Sequence, residues 1–130
     1  MADVDRENRP RSPFMLGPVY RPQINSVMSI LHRITGLGLI LGGVLLVWWL
    51  LAAASDPEHF AWIDGVMTSW LGGLVMILLL AALWYHFFTG VRHLAWDTGA
   101  GFRIEQMFAS SYAVIAAAAA MTVITLFFAF

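Results

Sequence analysis

The sequence predicts an all-α membrane protein with three transmembrane helices and a cytoplasmic N-terminus. Three observations predict it. The chain of 130 residues is 60% hydrophobic and 12% charged, with mean hydropathy +0.76; an ordinary soluble domain carries about 25% charged residues. Three stretches free of formal charge are each long enough for the roughly 20 apolar residues that cross about 30 Å of hydrocarbon. The arginines, finally, are distributed unevenly between the two ends of those stretches.

Residues 1–25 read as an N-terminal arm. "MADVDRENRPRSP" is mixed in charge and has no apolar core, unlike a cleaved signal peptide, and its acids are unlike a mitochondrial transit sequence. Residues 26–130 form the three-helix transmembrane domain. Its first span, about 29–54, holds the charge-free run "ITGLGLILGGVLLVWWLLAAA". "SDPEHF", with Pro57 and its acids, breaks that run and is expected to be a loop. The second span covers about 66–93. "DTGAGFRIE" joins glycine to charge and ends it. The third span covers about 106–129.

Orientation follows from the arginines. Arg6, Arg9, Arg11 and Arg21 precede the first span, and Arg92 and Arg103 flank the second connection. The first connection holds Asp56, Glu58 and Asp64 and no arginine. The N-terminus and second connection are therefore expected in the cytoplasm. Trp48, Trp49, Trp62 and Trp70 suit an outer aromatic belt, with Trp84 and Trp96 nearer the inner one.

Several functions are excluded. No cysteine is present, so this subunit holds no disulfide, thiolate catalyst or cysteine-ligated iron–sulphur cluster. All seven cations are arginines and net charge is −1, which leaves no basic stripe for nucleic acid.

Two constellations remain, at the same expected side of the membrane. Ser29, His32 and Arg33 stand at i, i+3 and i+4 on the first helix, one face. His86, Gly90 and His93 stand at i, i+4 and i+7 on the second, with Arg92 beside them. His86 lies six residues inside Arg92, about 9 Å deeper at 1.5 Å per residue. An ionisable group at that depth is a functional candidate. Neutral imidazole ligates haem iron, and Gly90 removes bulk where a flat macrocycle would lie. The propionates would then project toward His32, Arg33, Arg92 and His93.

Plainer readings stand beside these. His86 would serve equally as a histidine hydrogen-bonded to a neighbouring helix, the arginines as snorkelling anchors, and Ser29 as a donor to its own helix carbonyl. Gly38 and Gly42, a GxxxG pair, and the alanine run 116–120 point to helix packing. His59, in a polar loop, is expected to be solvated. His86 and His93 share one helix face and cannot clamp one iron from opposite sides. His32, counted from the charges, lies nearer the surface than His86. A second axial ligand is expected from a partner subunit, which makes the bundle heteromeric.

"RPRSP", "SVMSILHRITG" and "HFFTGVRHLAWD", in order over nearly the whole chain, resemble the cytochrome b membrane-anchor subunit of succinate dehydrogenase, respiratory complex II. "FMLGPVYRPQ" departs from the family pattern. The resemblance implies one haem b, shared with a second small anchor subunit, with His86 as the axial ligand to its iron. It places His32 and His93 near the propionates, with Arg92 as a propionate partner and Arg33 between haem and quinone. It also places Ser29 on the quinone, and Asp97 in the quinone's vicinity. Ubiquinone is the implied substrate. A flavoprotein and an iron–sulphur subunit are implied partners, in a bacterial inner membrane.

The remaining alternatives are a self-contained or homodimeric haem b protein, a fumarate reductase anchor, and a structural or transport subunit without haem. For the quinone reaction, Ser29 would orient a carbonyl oxygen and Arg33 would stabilise negative charge on reduction.

Overall fold

The computed structural model describes residues 21–129, which form four helices and no strand. Most of the expected N-terminal arm, with Arg6, Arg9 and Arg11 and most of "FMLGPVYRPQ", lies outside the described residues. The helices are α1 (Ile24–Ser55), α2 (Pro57–Met67), α3 (Trp70–Asp97) and α4 (Ile104–Ala129). Among the described residues, α1, α3 and α4 are long and apolar enough to cross a membrane, as the composition requires.

The first difference from expectation is α2. The "SDPEHF" segment is not a loop; it opens an 11-residue helix. Its loop signals are also helix-start signals. Asp56 is the N-cap and accepts from the Glu58 backbone N–H at 3.1 Å, Pro57 occupies the first turn, and Glu58 supplies the acid there. The helix stops at Met67. Ser69 then caps α3, accepting from the Gly72 N–H at 3.1 Å. Gly72 is obligatory at this corner, because a Cβ would collide with the carbonyls of Val66 and Met67. The α3–α4 connection turns on Gly99 and Gly101, with φ of 83° and 85°, values that favour glycine.

Helix α3 is central, packed against both α1 and α4, while α2 folds back on α1 and α3. The tightly packed positions are small or few: Ala52 against the side where α2 buries Ile63, Met28 under α3, and Val114 and Ala118 on α4. Leucines and isoleucines project outward instead, such as Leu37, Leu41 and Leu78, each at least 60% exposed. This inversion is expected where lipid or a partner helix supplies the apolar surroundings.

The glycine pair divides. A Cβ on Gly42 would lie 2.9 Å from Leu79, so α1 and α3 approach there, but Gly38 faces open space. Of the alanine run, Ala118 is buried and Ala116, Ala119 and Ala120 are exposed. Trp84 is also displaced from expectation. It sits at the middle of α3, about 20 Å from either helix end, not at a belt. Its indole N–H is satisfied there by Thr125 Oγ1 at 3.0 Å, as an apolar environment demands.

Candidate functional site

The antiparallel arrangement brings the start of α1, the end of α3 and the start of α4 to one end of the bundle. Arg92 ties the three together. Its side chain is buried, 6% exposed, with no carboxylate within ion-pair distance among the described residues. Four neutral oxygens receive it instead. Nε donates to Ser110 Oγ at 2.9 Å; Nη2 donates to Asn25 Oδ1 at 2.7 Å, Ser111 Oγ at 2.9 Å and the Met107 carbonyl at 3.1 Å. The guanidinium lies 4.0 Å over the Trp96 ring, a cation–π contact. Ser111 Oγ lies 2.7 Å from Asn25 Oδ1 and 2.8 Å from the Met107 carbonyl, two acceptors for its one proton. Arg92 is therefore not a snorkelling anchor. Its Nη1 makes no hydrogen bond among the described residues.

Arg92 forms one wall of a cavity of about 460 Å³ at this end of the bundle. Ser29 and Arg33, one helical turn apart on α1, line the same cavity, with Thr89, His93 and Trp96 of α3. The volume lies in the range of small-molecule sites. Ser29 and Arg33 are both exposed and make no hydrogen bond or ion pair among the described residues. So Ser29 does not bond back to its own helix. Asp97 is absent from this cavity and stands exposed at the last residue of α3.

The three histidines form a stack beside it. His32 lies parallel to His86 with ring centroids 4.0 Å apart and planes at 10°, and meets His93 edge-on at 5.0 Å. His32 is thus level with His86, contrary to its expected position nearer the surface. The physical reason is that α1 begins at Ile24, before the charge-free run, so His32 lies about 12 Å along the helix. His32 does not share the cavity wall with Ser29 and Arg33; it turns toward α3. Its Nε2 is buried and has no hydrogen-bond partner among the described residues.

His86 is held by α1. Its Nδ1 lies 3.2 Å from the His32 carbonyl oxygen and 3.3 Å from Thr35 Oγ1. A Cβ on Gly36 would come within 3.1 Å of His86 Cε1, so glycine makes room for the ring. The plainer reading of His86, bonded to a neighbouring helix, accounts for one ring nitrogen. Nε2 takes no partner among the described residues. One turn along, Gly90 opens onto empty space.

Sequence reasoning missed Asn25, Ser110 and Ser111, and gave no role to Thr35, Gly36 or Tyr85, whose hydroxyl donates to the Met28 carbonyl at 2.9 Å. The available signal was the demand of Arg92 itself, since a charge withdrawn into an apolar helix bundle requires polar partners.

Comparison with known proteins agrees with this architecture. Residues 5–125 match the succinate dehydrogenase/fumarate reductase transmembrane subunit family. The chain belongs to that family. A succinate dehydrogenase cytochrome b556 subunit of Paracoccus denitrificans is 48% identical over the full length of both chains. The corresponding subunit of Rickettsia conorii is 33% identical over 89% of each chain. A cytochrome b560 subunit of Reclinomonas americana is 34% identical over 90% of this chain and 83% of its own. As a transmembrane subunit of this family, the protein is multi-pass, and its curated relatives are cytochrome b subunits of an oxidoreductase complex.

Proposed function

We propose that the protein is a membrane anchor of succinate:quinone oxidoreductase in a bacterial inner membrane. It holds one haem b jointly with a second small anchor and forms part of the ubiquinone-reduction site. The observation that carries this is the cavity, which gathers Ser29, Arg33, Arg92 and His93 directly against the imidazole stack containing His86.

The residues fit a haem. His86 has one nitrogen tied and the other bare, Gly90 leaves open space on the same helix face, and His32 Nε2 lacks the partner that a carboxylate would provide. His86 would be the axial ligand, with His32, His93, Arg33 and Arg92 Nη1 available to the propionates. Bound haem supplies one-electron storage beside the cavity. A single copy of this chain does not supply both axial ligands. His32 reaches the level of His86, but its ring stacks face to face on it at 4.0 Å, so the two rings would not hold a haem between them. The second axial histidine is therefore assigned to the partner anchor, which also disfavours a self-contained cytochrome.

On the quinone, Ser29 donates to a carbonyl oxygen, and the Arg33 guanidinium stabilises negative charge as the ring is reduced. Burial of Arg92 beside the same space adds a fixed positive charge without a neutralising carboxylate. Protons are taken up from the cytoplasmic side, where this end of the bundle lies. Succinate is oxidised at a flavoprotein, and electrons reach the anchor through an iron–sulphur subunit. Asp97, exposed at the end of α3 and next to Trp96 of the cavity, is assigned to the quinone's vicinity.

The test is purification in mild detergent from the native membrane, with polypeptides and haem measured together. The expected preparation contains a flavoprotein, an iron–sulphur protein, a second small anchor and one b haem. An intact preparation holding haem without those partners would overturn the complex II assignment. One holding neither would overturn the haem assignment as well.

A further inference from the structure

The Nδ1 atom of His86 has two oxygens within reach, and their proton inventory favours one tautomer of the ring. The His32 carbonyl, 3.2 Å away, accepts and never donates. Thr35 Oγ1, 3.3 Å away, is a hydroxyl with one proton, and that proton is committed: Oγ1 donates to the same His32 carbonyl at 3.0 Å. Both oxygens therefore face Nδ1 as acceptors. A bare Nδ1 would oppose two sets of lone pairs, whereas Nδ1–H satisfies both. This arrangement favours the tautomer with the proton on Nδ1, in which Nε2 carries a free lone pair.

The ring is also fixed in position. Gly36, next to Thr35, lies so close that a Cβ would stand 3.1 Å from His86 Cε1, and His32 stacks on one face at 4.0 Å. Residues 32, 35 and 36 of α1 thus surround the Nδ1–Cε1 edge and leave the Nε2 edge clear.

We infer that Thr35 is a positioning residue for the haem ligand, holding the proton of His86 on Nδ1 and so presenting Nε2 to the iron. This rests on the proposed role of His86. An N–H···O bond at the distal nitrogen of a ligand imidazole raises its basicity. More electron density then reaches the iron, which favours the oxidised state. Removing the Thr35 oxygen weakens that push and raises the midpoint potential. The His32 carbonyl remains as a second acceptor, so the haem stays bound.

The experiment compares Thr35→Val and Thr35→Ser in the intact, purified complex, reading haem content, haem midpoint potential and the low-spin EPR signal. Valine keeps the shape and branching of threonine and lacks the oxygen; serine keeps the oxygen. The expected result is retained haem with a raised potential and an altered EPR signal in Thr35→Val, and wild-type values in Thr35→Ser. Wild-type potential and EPR signal in both variants would overturn the inference, as would loss of haem from both. Should Thr35→Val fail to accumulate, Thr35→Ala against Thr35→Ser carries the same comparison, and identical signals in those two overturn it. His86→Leu is the control. If that variant keeps a wild-type haem, the ligand assignment itself falls; if it loses haem while Thr35→Val is unchanged, the role of Thr35 falls and the ligand stands.

Discussion

The two ends of the bundle use the same residue types for different ends. At the α2 end, His59 accepts from the Trp48 indole at 3.2 Å, with Trp62 beside it, and all three side chains are exposed. The remaining polar groups there close local turns: Ser55 to Leu51, Thr68 to Asp64, Ser69 to Val66. At the other end polar bonds run from one helix to another, such as Asn25 to Arg92, Ser111 to Asn25, His86 to α1 and Arg92 to Ser110. A histidine beside a tryptophan is therefore no mark of a site. What marks it is a polar group withdrawn from solvent and answered from another helix, because in an apolar medium each such bond replaces a costly unpaired group.

The sharpest way to break this comparison is at Arg92. Arg92→Leu leaves Asn25, Ser110 and Ser111 without their shared donor, at a cost of about 3 kcal/mol or more, since bonds to a buried charge and their orphaned partners both count. The expected outcome is little assembled complex and a lowered thermal midpoint in detergent. A variant as stable as wild type would mean that the bonds joining the three helices carry no weight. His86→Leu comes next. It is expected to lose most of the haem while the polypeptides still assemble, and haem content per complex checks it. Ser29→Ala should keep both fold and haem and raise the apparent quinone KM by up to about tenfold, the worth of one hydrogen bond. Unaltered quinone kinetics would remove Ser29 from the site. Last is His59→Gln, at the opposite end. It should leave haem content and quinone kinetics unchanged and shift stability by no more than about 0.5 kcal/mol; a change in either functional readout would abolish the distinction between the two ends.

The three long helices were legible because the absence of charge over about 20 residues has few other meanings. Helix α2 was not, since Asp56, Pro57 and Glu58 carry the chemistry of a break and of a helix start alike. The depth of His32 was misread for a related reason. Gln23 caps α1 without any side-chain hydrogen bond, so nothing in residue type announced that the helix begins at Ile24. The membership of the candidate site was legible in part. Ser29, Arg33, Arg92 and His93 share a cavity, and His32 and His86 share a stack. The support behind them was hidden in ordinary residues. Serines in an apolar run usually bond back to their own helix, and Ser110 and Ser111 do so through the Met107 carbonyl while also receiving Arg92. Periodicity within one helix cannot show a partner that arrives from another.

The convergence of three helices on Arg92 also orders events in time. Met107, Ser110 and Ser111 belong to α4, which leaves the ribosome after α1 and α3. Until α4 is inserted, three of the four oxygens that receive the guanidinium are missing, and the cavity has neither its Met107 side nor a fixed Arg92 wall. A nascent chain holding α1 and α3 therefore already carries its imidazoles yet lacks a settled pocket. Insertion of α4 completes it, so a chain halted before α4 is left with a buried charge that three of its four oxygens have not yet answered.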